Sequence, residues 1–139
     1  MKRARVLTEK ELKAVLNSTK ATRHPERNKL MVMLSYYAGL RACEIASLRV
    51  SDVVDSTGTA RDTILLEQWQ TKGSERQQAV VSEKLRKEIT VFVREHRNGV
   101  DRTAPLLASQ KGGAFSSTTI QQAFRQLYAQ IGLDGASSH

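Results

Sequence analysis

A nearly continuous apolar segment at residues 30–37 places the strongest constraint on how this chain folds. Leucine, methionine, valine and tyrosine fill every position of that segment except Ser35. A helix that is apolar on nearly all sides has no face for solvent and must lie in the interior. Pro25 suits the first turn of this helix, and Gly39 suits a left-handed end. The sequence therefore predicts one central buried helix with the other elements packed around it.

Helix caps and apolar periodicity predict further helices on both sides of the central one. Thr8 and Glu11 have the spacing of a capping box, so a helix begins at Thr8 and ends near residues 17–20. Residues 42–48 suit a short helix. Two later helices each have hydroxyl N-cap candidates and a glycine beyond their end: Ser82 with Gly99, and Ser116, Ser117 or Thr118 with Gly132.

The middle of the chain changes from helical to extended patterning. Residues 63–66 and 78–81 are short apolar runs that suit strands, and residues 70–76 form a polar, glycine-containing turn between them. Two such runs around a polar turn predict a hairpin or a small antiparallel sheet. The predicted fold is mainly α with a small antiparallel β-sheet, an α+β fold, in one domain.

The charge balance favours a polyanionic partner. The 139 residues contain 22 Lys and Arg against 14 Asp and Glu, a formal charge of +8. Such an excess favours nucleic acid as a partner and says nothing about fold. A single cysteine excludes an internal disulfide and a multi-cysteine metal site. No apolar run approaches the roughly 20 residues that span a bilayer, and the basic N-terminus lacks a signal-peptide pattern. We expect a cytoplasmic protein that does not bind membranes.

Arg41 follows the predicted central helix and its glycine turn, and Glu44 lies three residues further on. An arginine held there is a fixed cation with a planar set of donors, well shaped for a phosphate. Lys72 in the polar turn and His139 at the end of the sequence are two further candidates. Taken singly, each has a simpler interpretation: a helix-capping arginine, a solvated lysine, a terminal histidine and, for Glu44, an exposed helical acid.

Four segments together resemble the tyrosine recombinases, the phage integrase family. Residues 39–45, GLRACEI, followed by LRVSDV at 48–53, are similar to the first arginine box of that family. QTKG at 70–73, before a strand, resembles the catalytic-lysine hairpin. IGL at 131–133, leading to SSH at 137–139, resembles the approach to the histidine–arginine box. The opening VLTEKE at 6–11 resembles the start of the catalytic domain, so the resemblance spans nearly the whole chain.

The resemblance implies a reaction and roles for these residues. Family members cut DNA by attack of a tyrosine hydroxyl on a backbone phosphate, giving a 3′-phosphotyrosyl link without metal or cofactor. Arg41 would hold the non-bridging oxygens, and Glu44 would support its position. Lys72 would protonate the departing 5′ oxygen, and His139 would accept a proton or bind the phosphate. The partner would be double-stranded DNA, in a protein of bacterial or phage origin.

The start of the last predicted helix is a second candidate for contact with DNA. Hydroxyls and amides at a helix N-terminus suit phosphate, and the polar side of the helix suits a groove. The residues in question are Ser117, Thr118, Gln121, Gln122 and Arg125. A capped helix with a solvated face explains the same pattern.

The sequence is expected to hold only part of the catalytic domain, over residues 1–139. The family's second arginine and nucleophilic tyrosine come after the histidine, and Tyr36, Tyr37 and Tyr128 all lie on apolar helical faces. The family's N-terminal core-binding domain is also expected to be absent. We therefore expect DNA binding without cleavage. Missing terminal helices would leave the central or last helix exposed, which predicts a homo-oligomer.

Two other classes of function remain open. A nucleic-acid-binding module without chemistry needs only the charge of +8. It predicts that Arg41 and Lys72 matter no more than other basic residues. A protein-interaction domain would bind its partner through apolar surface and would be insensitive to salt, whereas binding to phosphates weakens steeply with salt.

Overall fold

The computed structural model describes residues 7–71, 77–108, 113 and 115–132. The predicted helix α1 spans Glu9–Thr19 and begins with the Thr8–Glu11 capping box. In that box the Thr8 N–H donates to Glu11 Oε1 at 2.9 Å, and the Glu11 N–H donates to Thr8 Oγ1 at 3.1 Å. Leu7 and Leu12 on either side of the box are buried, so the start of α1 is fixed to the core.

The central helix α2 spans Pro25–Ala38 and is buried as the apolar run predicts. Gly39 ends it with φ of 69°, a left-handed conformation that costs a residue with a side chain about 1 kcal/mol or more. α2 packs against α1, α3 and α5, where α3 spans Ala42–Ser47 and α5 spans Glu83–His96. Its position leaves Arg41 at the junction between α2 and α3.

The last described helix, α6, spans Ser117–Gln130 and packs against both α3 and α1. Ser116 is its N-cap, and the Ser116 hydroxyl accepts the Thr119 N–H at 3.1 Å. Ile120, Phe124 and Leu127 turn inward, as the periodicity predicts. α1, α3 and α5 thus surround α2, and α6 closes the layer over α1 and α3.

The small sheet is a two-stranded antiparallel hairpin of β1, Thr63–Leu66, and β2, Gln77–Val80. Its register pairs Thr63 with Val80 and Leu66 with Gln77. Ile64 and Leu66 of β1 and Ala79 of β2 face the core. β2 begins and ends one residue earlier than the sequence predicts, because Gln77 pairs with the last residue of β1.

Two short elements were not expected from the sequence. Helix α4 spans Val50–Val53, and a 3₁₀ helix at Gln68–Thr71 follows β1. The backbone of α4 is held by a distant segment: Val50 N–H donates to Ala104 O at 3.0 Å, and Ser51 N–H donates to Arg102 O at 2.9 Å. The 3₁₀ helix packs against α3. Both elements therefore depend on contacts between distant parts of the chain.

The expected exposure of the central and last helices is wrong for the described residues. The large hydrophobic side chains that are exposed in the described part of the chain lie outside these two helices, at Leu65, Trp69, Val80 and Val91. Tyr36 and Tyr37 on α2 are half-buried, and Tyr128 on α6 is 4% exposed. The proposed reason for self-association is therefore removed, and the homo-oligomer stays a prediction. No helix in the described ranges is long and apolar enough to cross a membrane.

Candidate active site

Arg41 is exposed at the N-cap of α3, where the chain leaves the left-handed turn at Gly39. The Arg41 backbone N–H donates to Glu44 Oε1 at 2.8 Å, and the Arg41 carbonyl accepts the Ile45 N–H at 2.9 Å. The carboxylate of Glu44 therefore fixes the backbone of Arg41. Among the described residues, no ion pair neutralises the Arg41 guanidinium. Arg41 therefore presents a guanidinium without an ion-pair partner in the described part of the chain, on a backbone that Glu44 fixes.

Glu44 is 2% exposed, so it is not the solvated helical acid of the simpler interpretation. Its second carboxylate oxygen, Oε2, is buried and has no hydrogen-bond partner in the described part of the chain. A buried carboxylate with one free oxygen is costly unless other groups compensate for it. Its position next to Arg41 is that expected of a supporting residue, and its role in chemistry stays a prediction.

Lys72 and His139 lie outside the described residues. The chain on the N-terminal side of Lys72 is described as far as Thr71, at the end of the 3₁₀ helix that packs against α3. Lys72 is therefore the next residue after an element in contact with the helix that Arg41 caps. On the N-terminal side of His139, the structure describes the chain as far as Ile131 and Gly132, which follow α6.

Gln70 is the residue that fixes the 3₁₀ helix to the site, and it is 1% exposed. Its Nε2 donates to Ser47 O at 3.3 Å, at the end of α3, and to Asp52 Oδ2 at 3.1 Å, in α4. Its Oε1 accepts the Glu67 N–H at 2.8 Å. One buried amide thus connects α3, α4 and the segment that leads to Lys72.

Asp52 and Arg49 extend this network to the surface. Asp52 accepts the Arg49 N–H at 2.9 Å, and its other oxygen pairs with the Arg49 guanidinium at 3.1 Å. That guanidinium lies 5.4 Å from the centre of the Trp69 ring, within cation–π range. Sequence reasoning missed this network. The acid three residues after Arg49 was a visible signal. Gln70 begins the QTKG segment, but nothing in the sequence indicated that its side chain is buried.

The predicted DNA-contacting residues of α6 lie along its outer side. Thr118, Gln122 and Arg125 are exposed, and Ser117 and Gln121 are half-buried. They are therefore accessible to varying degrees, and their contact with DNA stays a prediction. Within the described ranges, no three His, Cys, Asp or Glu side chains are grouped to hold a metal ion.

The mainly helical domain with its two-stranded sheet has the fold of solved tyrosine-recombinase catalytic domains. The model of the phage integrase family matches residues 5–139. The chain belongs to the phage integrase family. The resemblance seen in the four sequence segments and the predicted fold class are both confirmed.

Solved structures share the fold at low sequence identity. XerA recombinase matches 99% of this chain with a TM-score of 0.72 and 19% identity. XerH site-specific recombinase bound to its difH substrate matches 99% with a TM-score of 0.70 and 20% identity. An integrase of transposon Tn1549, in complex with transposon right end DNA, matches 94% with a TM-score of 0.64 and 17% identity. This chain spans 46%, 41% and 46% of those three chains.

A curated relative is more similar in sequence over a shorter stretch. Transposase A from transposon Tn554 of Staphylococcus aureus is 42% identical over 53 residues. Those residues are 38% of this chain and 14% of the transposase. The chain therefore spans less than half the length of each of these four relatives.

Proposed function

We propose that this chain forms part of a recombinase catalytic domain that binds duplex DNA and presents Arg41 to a backbone phosphate. The observation that carries the proposal is the mount of Arg41: its backbone is fixed by Glu44, and its guanidinium has no ion-pair partner among the described residues. Three of the relatives support DNA as the partner, since two are recombinases or integrases with DNA bound and one is a transposase. The cytoplasm, where bacterial or phage DNA lies, is the proposed location.

In the reaction proposed for the whole protein, a tyrosine oxygen attacks the phosphorus and the bond from phosphorus to the 5′ oxygen breaks. The phosphate stays on the tyrosine as a 3′-phosphotyrosyl ester, so its bond energy is retained for rejoining. Arg41 stabilises the extra negative charge on the non-bridging oxygens. Lys72 gives a proton to the departing 5′ oxygen, and His139 accepts a proton or binds the phosphate. Glu44 acts through Arg41 as a positioning residue.

The three tyrosines of this chain are poor candidates for the nucleophile. Tyr36 and Tyr37 are half-buried on α2, and their rings contact each other edge to face at 5.0 Å. Tyr128 is 4% exposed, and burial raises its pKa to about 12, which disfavours the phenolate. We therefore propose that this chain binds DNA but forms no covalent adduct with it by itself. The positions of these three tyrosines equally favour the second candidate, a nucleic-acid-binding module without chemistry.

The test is an NMR titration of the Arg41 guanidinium with a generic 20-base-pair duplex (about 70 Å at 3.4 Å per step). The Nε–Hε resonance of Arg41 is expected to shift on binding. Arg41→Ala is expected to make the dependence of log K on log salt shallower by about 1, the amount expected for one lost phosphate contact. Lys84→Ala on α5, also an exposed cation, is the matched control. An Arg41 resonance that stays in place while the duplex binds would contradict the proposal.

A nicked duplex that carries a recombination site separates the two candidate functions. If Arg41 is part of a recombinase site, the protein should bind the duplex more tightly when the nick lies beside the phosphate at the cleavage position than when it lies at another position. A binding module would show no such preference. A covalent protein–DNA band on a denaturing gel would refute the proposal that none of the three tyrosines is the nucleophile.

A further inference from the structure

A basic cleft lies at the end of α2 opposite to Arg41. We define it as two adjoining cavities of about 520 Å³ and about 270 Å³ that share Arg23, His24 and Arg27. The smaller cavity adds His96 and Arg97 from the end of α5. Among the described residues that line the two cavities, Glu26 is the one acid. The cleft therefore gathers cations from two helices that start or end there.

Arg27 is held in this cleft without losing its charge. Its guanidinium lies 4.6 Å from the centre of the Phe115 ring, and its Nε and Nη2 donate to Asn28 Oδ1 at 3.3 and 3.2 Å. Asn28 is buried, and its Nδ2 donates in turn to Thr22 Oγ1 at 3.0 Å. An aromatic face and a neutral amide orient a guanidinium but do not neutralise it. Arg27 is therefore a positioned cation with no ion pair among the residues that the structure describes.

The other groups of the cleft are also short of negative partners. Arg97 Nε is buried and has no hydrogen-bond partner within the described ranges. Burial, and then the charges of Arg27 and Arg23, lower the pKa of His24, while Glu26 acts in the opposite direction. Like charges this close repel one another, and an anion in the cleft would relieve that repulsion. The cleft thus has hydrogen-bond donors for an anionic ligand, and binding of an anion would reduce the repulsion between its positive charges.

The position of the cleft favours one kind of anion. Phe115, which stacks on Arg27, directly precedes Ser116, the N-cap of α6. The cleft is therefore next to Ser117 and Thr118, the proposed contacts to the DNA backbone. The 14 residues of α2 separate the cleft from Arg41. At 1.5 Å per residue that distance is about 21 Å, roughly six base-pair steps of 3.4 Å.

We propose that the basic cleft binds a second backbone phosphate of the DNA duplex, roughly 20 Å from the phosphate at Arg41. The proposal rests on the proposed function, since it assumes that this duplex also reaches Arg41. Arg23 and Arg97 supply the charge-assisted hydrogen bonds to the phosphate oxygens, and Arg27 supplies a fixed charge at the wall of the cleft. This second contact would fix the direction of the duplex across the domain, because one phosphate alone leaves it free to pivot.

The test compares Arg23→Gln/Arg97→Gln with Lys10→Gln/Lys84→Gln, which removes the same charge from exposed positions on α1 and α5. Duplex affinity is measured by fluorescence anisotropy between about 50 and about 200 mM salt. Loss of one phosphate contact should make the negative slope of log K against log salt shallower by about 0.9 and weaken binding about tenfold. The control pair should change the slope by less than half as much. Equal changes in both pairs would overturn the proposal.

Two further measurements separate the remaining outcomes. Arg23→Gln alone changes an exposed residue, so it tests the cleft if the double variant unfolds. Inorganic phosphate is titrated against the wild type: stabilisation by phosphate, together with an unchanged DNA slope in the Arg23→Gln variant, would assign the cleft to a free anion and refute the proposal. If the Arg41 resonance still shifts with DNA but the slope is unchanged, this inference fails while the proposed function stands. If the Arg41 resonance does not shift, the proposed function fails.

Discussion

Gln70 connects the segment before Lys72 to the helix that carries Arg41, so replacing it tests how the site is assembled. Gln70→Leu keeps the size of the side chain and removes its three hydrogen bonds, with Ser47 O, Asp52 Oδ2 and the Glu67 N–H. Neutral hydrogen bonds contribute about 1 kcal/mol each, and one to a carboxylate about 1.5–3 kcal/mol. Burial of the leucine methyl groups returns about 1 kcal/mol. The free energy of unfolding should fall by about 2.5–4 kcal/mol.

Urea denaturation followed by circular dichroism measures this change, and a constant m-value would show that the same surface is exposed on unfolding. In a domain of this size each kcal/mol lowers the melting temperature by about 2–4 °C, so a fall of about 5–15 °C is expected. Hydrogen exchange adds a local measurement. The amide of Glu67, which donates to Gln70 Oε1, should exchange faster in the variant, whereas the amides of α5 should follow the global stability alone.

Gln78→Leu is the matched control, because Gln78 is an exposed residue of β2 in the same hairpin. The same substitution there should change stability by no more than about 0.5 kcal/mol. The reasoning is refuted if the two variants are equally stable, since Gln70 would then fill space without holding the 3₁₀ helix in place. A loss of stability without faster exchange at Glu67 would refute the local part of the argument.

Two further predictions concern Tyr128, a buried residue of α6, and Gly39, the glycine that ends α2. Burial raises the pKa of Tyr128 above its ordinary value of 10.0 to about 12, so the folded state retains that proton longer than the unfolded state does. The stability that this provides is full below about pH 10 and is lost as the pH rises towards about 12, so an alkaline urea series should fall more steeply for the wild type than for Tyr128→Phe. Gly39→Ala and Gly58→Ala both place a methyl group at a left-handed φ, 69° and 84°, and both should lose about 1–2 kcal/mol in thermal denaturation. Only Gly39→Ala should weaken duplex binding at temperatures where both variants are folded, because Gly39 sets the direction from which Arg41 leaves α2, and equal affinities would contradict this.

Local signals predicted the ends of the longer helices α1, α2, α5 and α6. The capping box at Thr8, the glycine after α2 and the serine caps of α5 and α6 satisfy backbone groups within a few residues of themselves. Pro25 at the start of α2 instead lacks an N–H that would otherwise have no partner in the helix. Such patterns carry their own physical cause, so the sequence alone reveals them. The same locality explains why the position of Arg41, beside Gly39, was predictable.

Elements held by distant contacts were not predictable. α4 forms where Val50 and Ser51 bond to the backbone of residues 102–104, about 50 residues away. Gln70 lies in a polar run that suggests a solvated turn, and its burial depends on the end of α3 and on Asp52 meeting at one point. The basic cleft likewise joins Arg23 and Arg27 to Arg97 through the packing of α2 on α5. Their charges are visible in the sequence, but their proximity is not.

The sequence alone does not show which of two arginines, Arg41 or Arg49, has its guanidinium paired with a carboxylate. Arg41 and Arg49 each cap a short helix, and each is followed by an acid at the third position. Glu44 accepts the backbone N–H of Arg41 and leaves the guanidinium unpaired among the described residues, whereas Asp52 accepts the backbone N–H of Arg49 and also pairs with its guanidinium. An arginine already paired with a carboxylate has its charge compensated and binds a phosphate weakly, so Arg49 braces the network around Gln70. The same local motif thus gives a guanidinium paired with a carboxylate at Arg49 and, at Arg41, a guanidinium without an ion pair among the described residues, which is the one proposed to bind a phosphate.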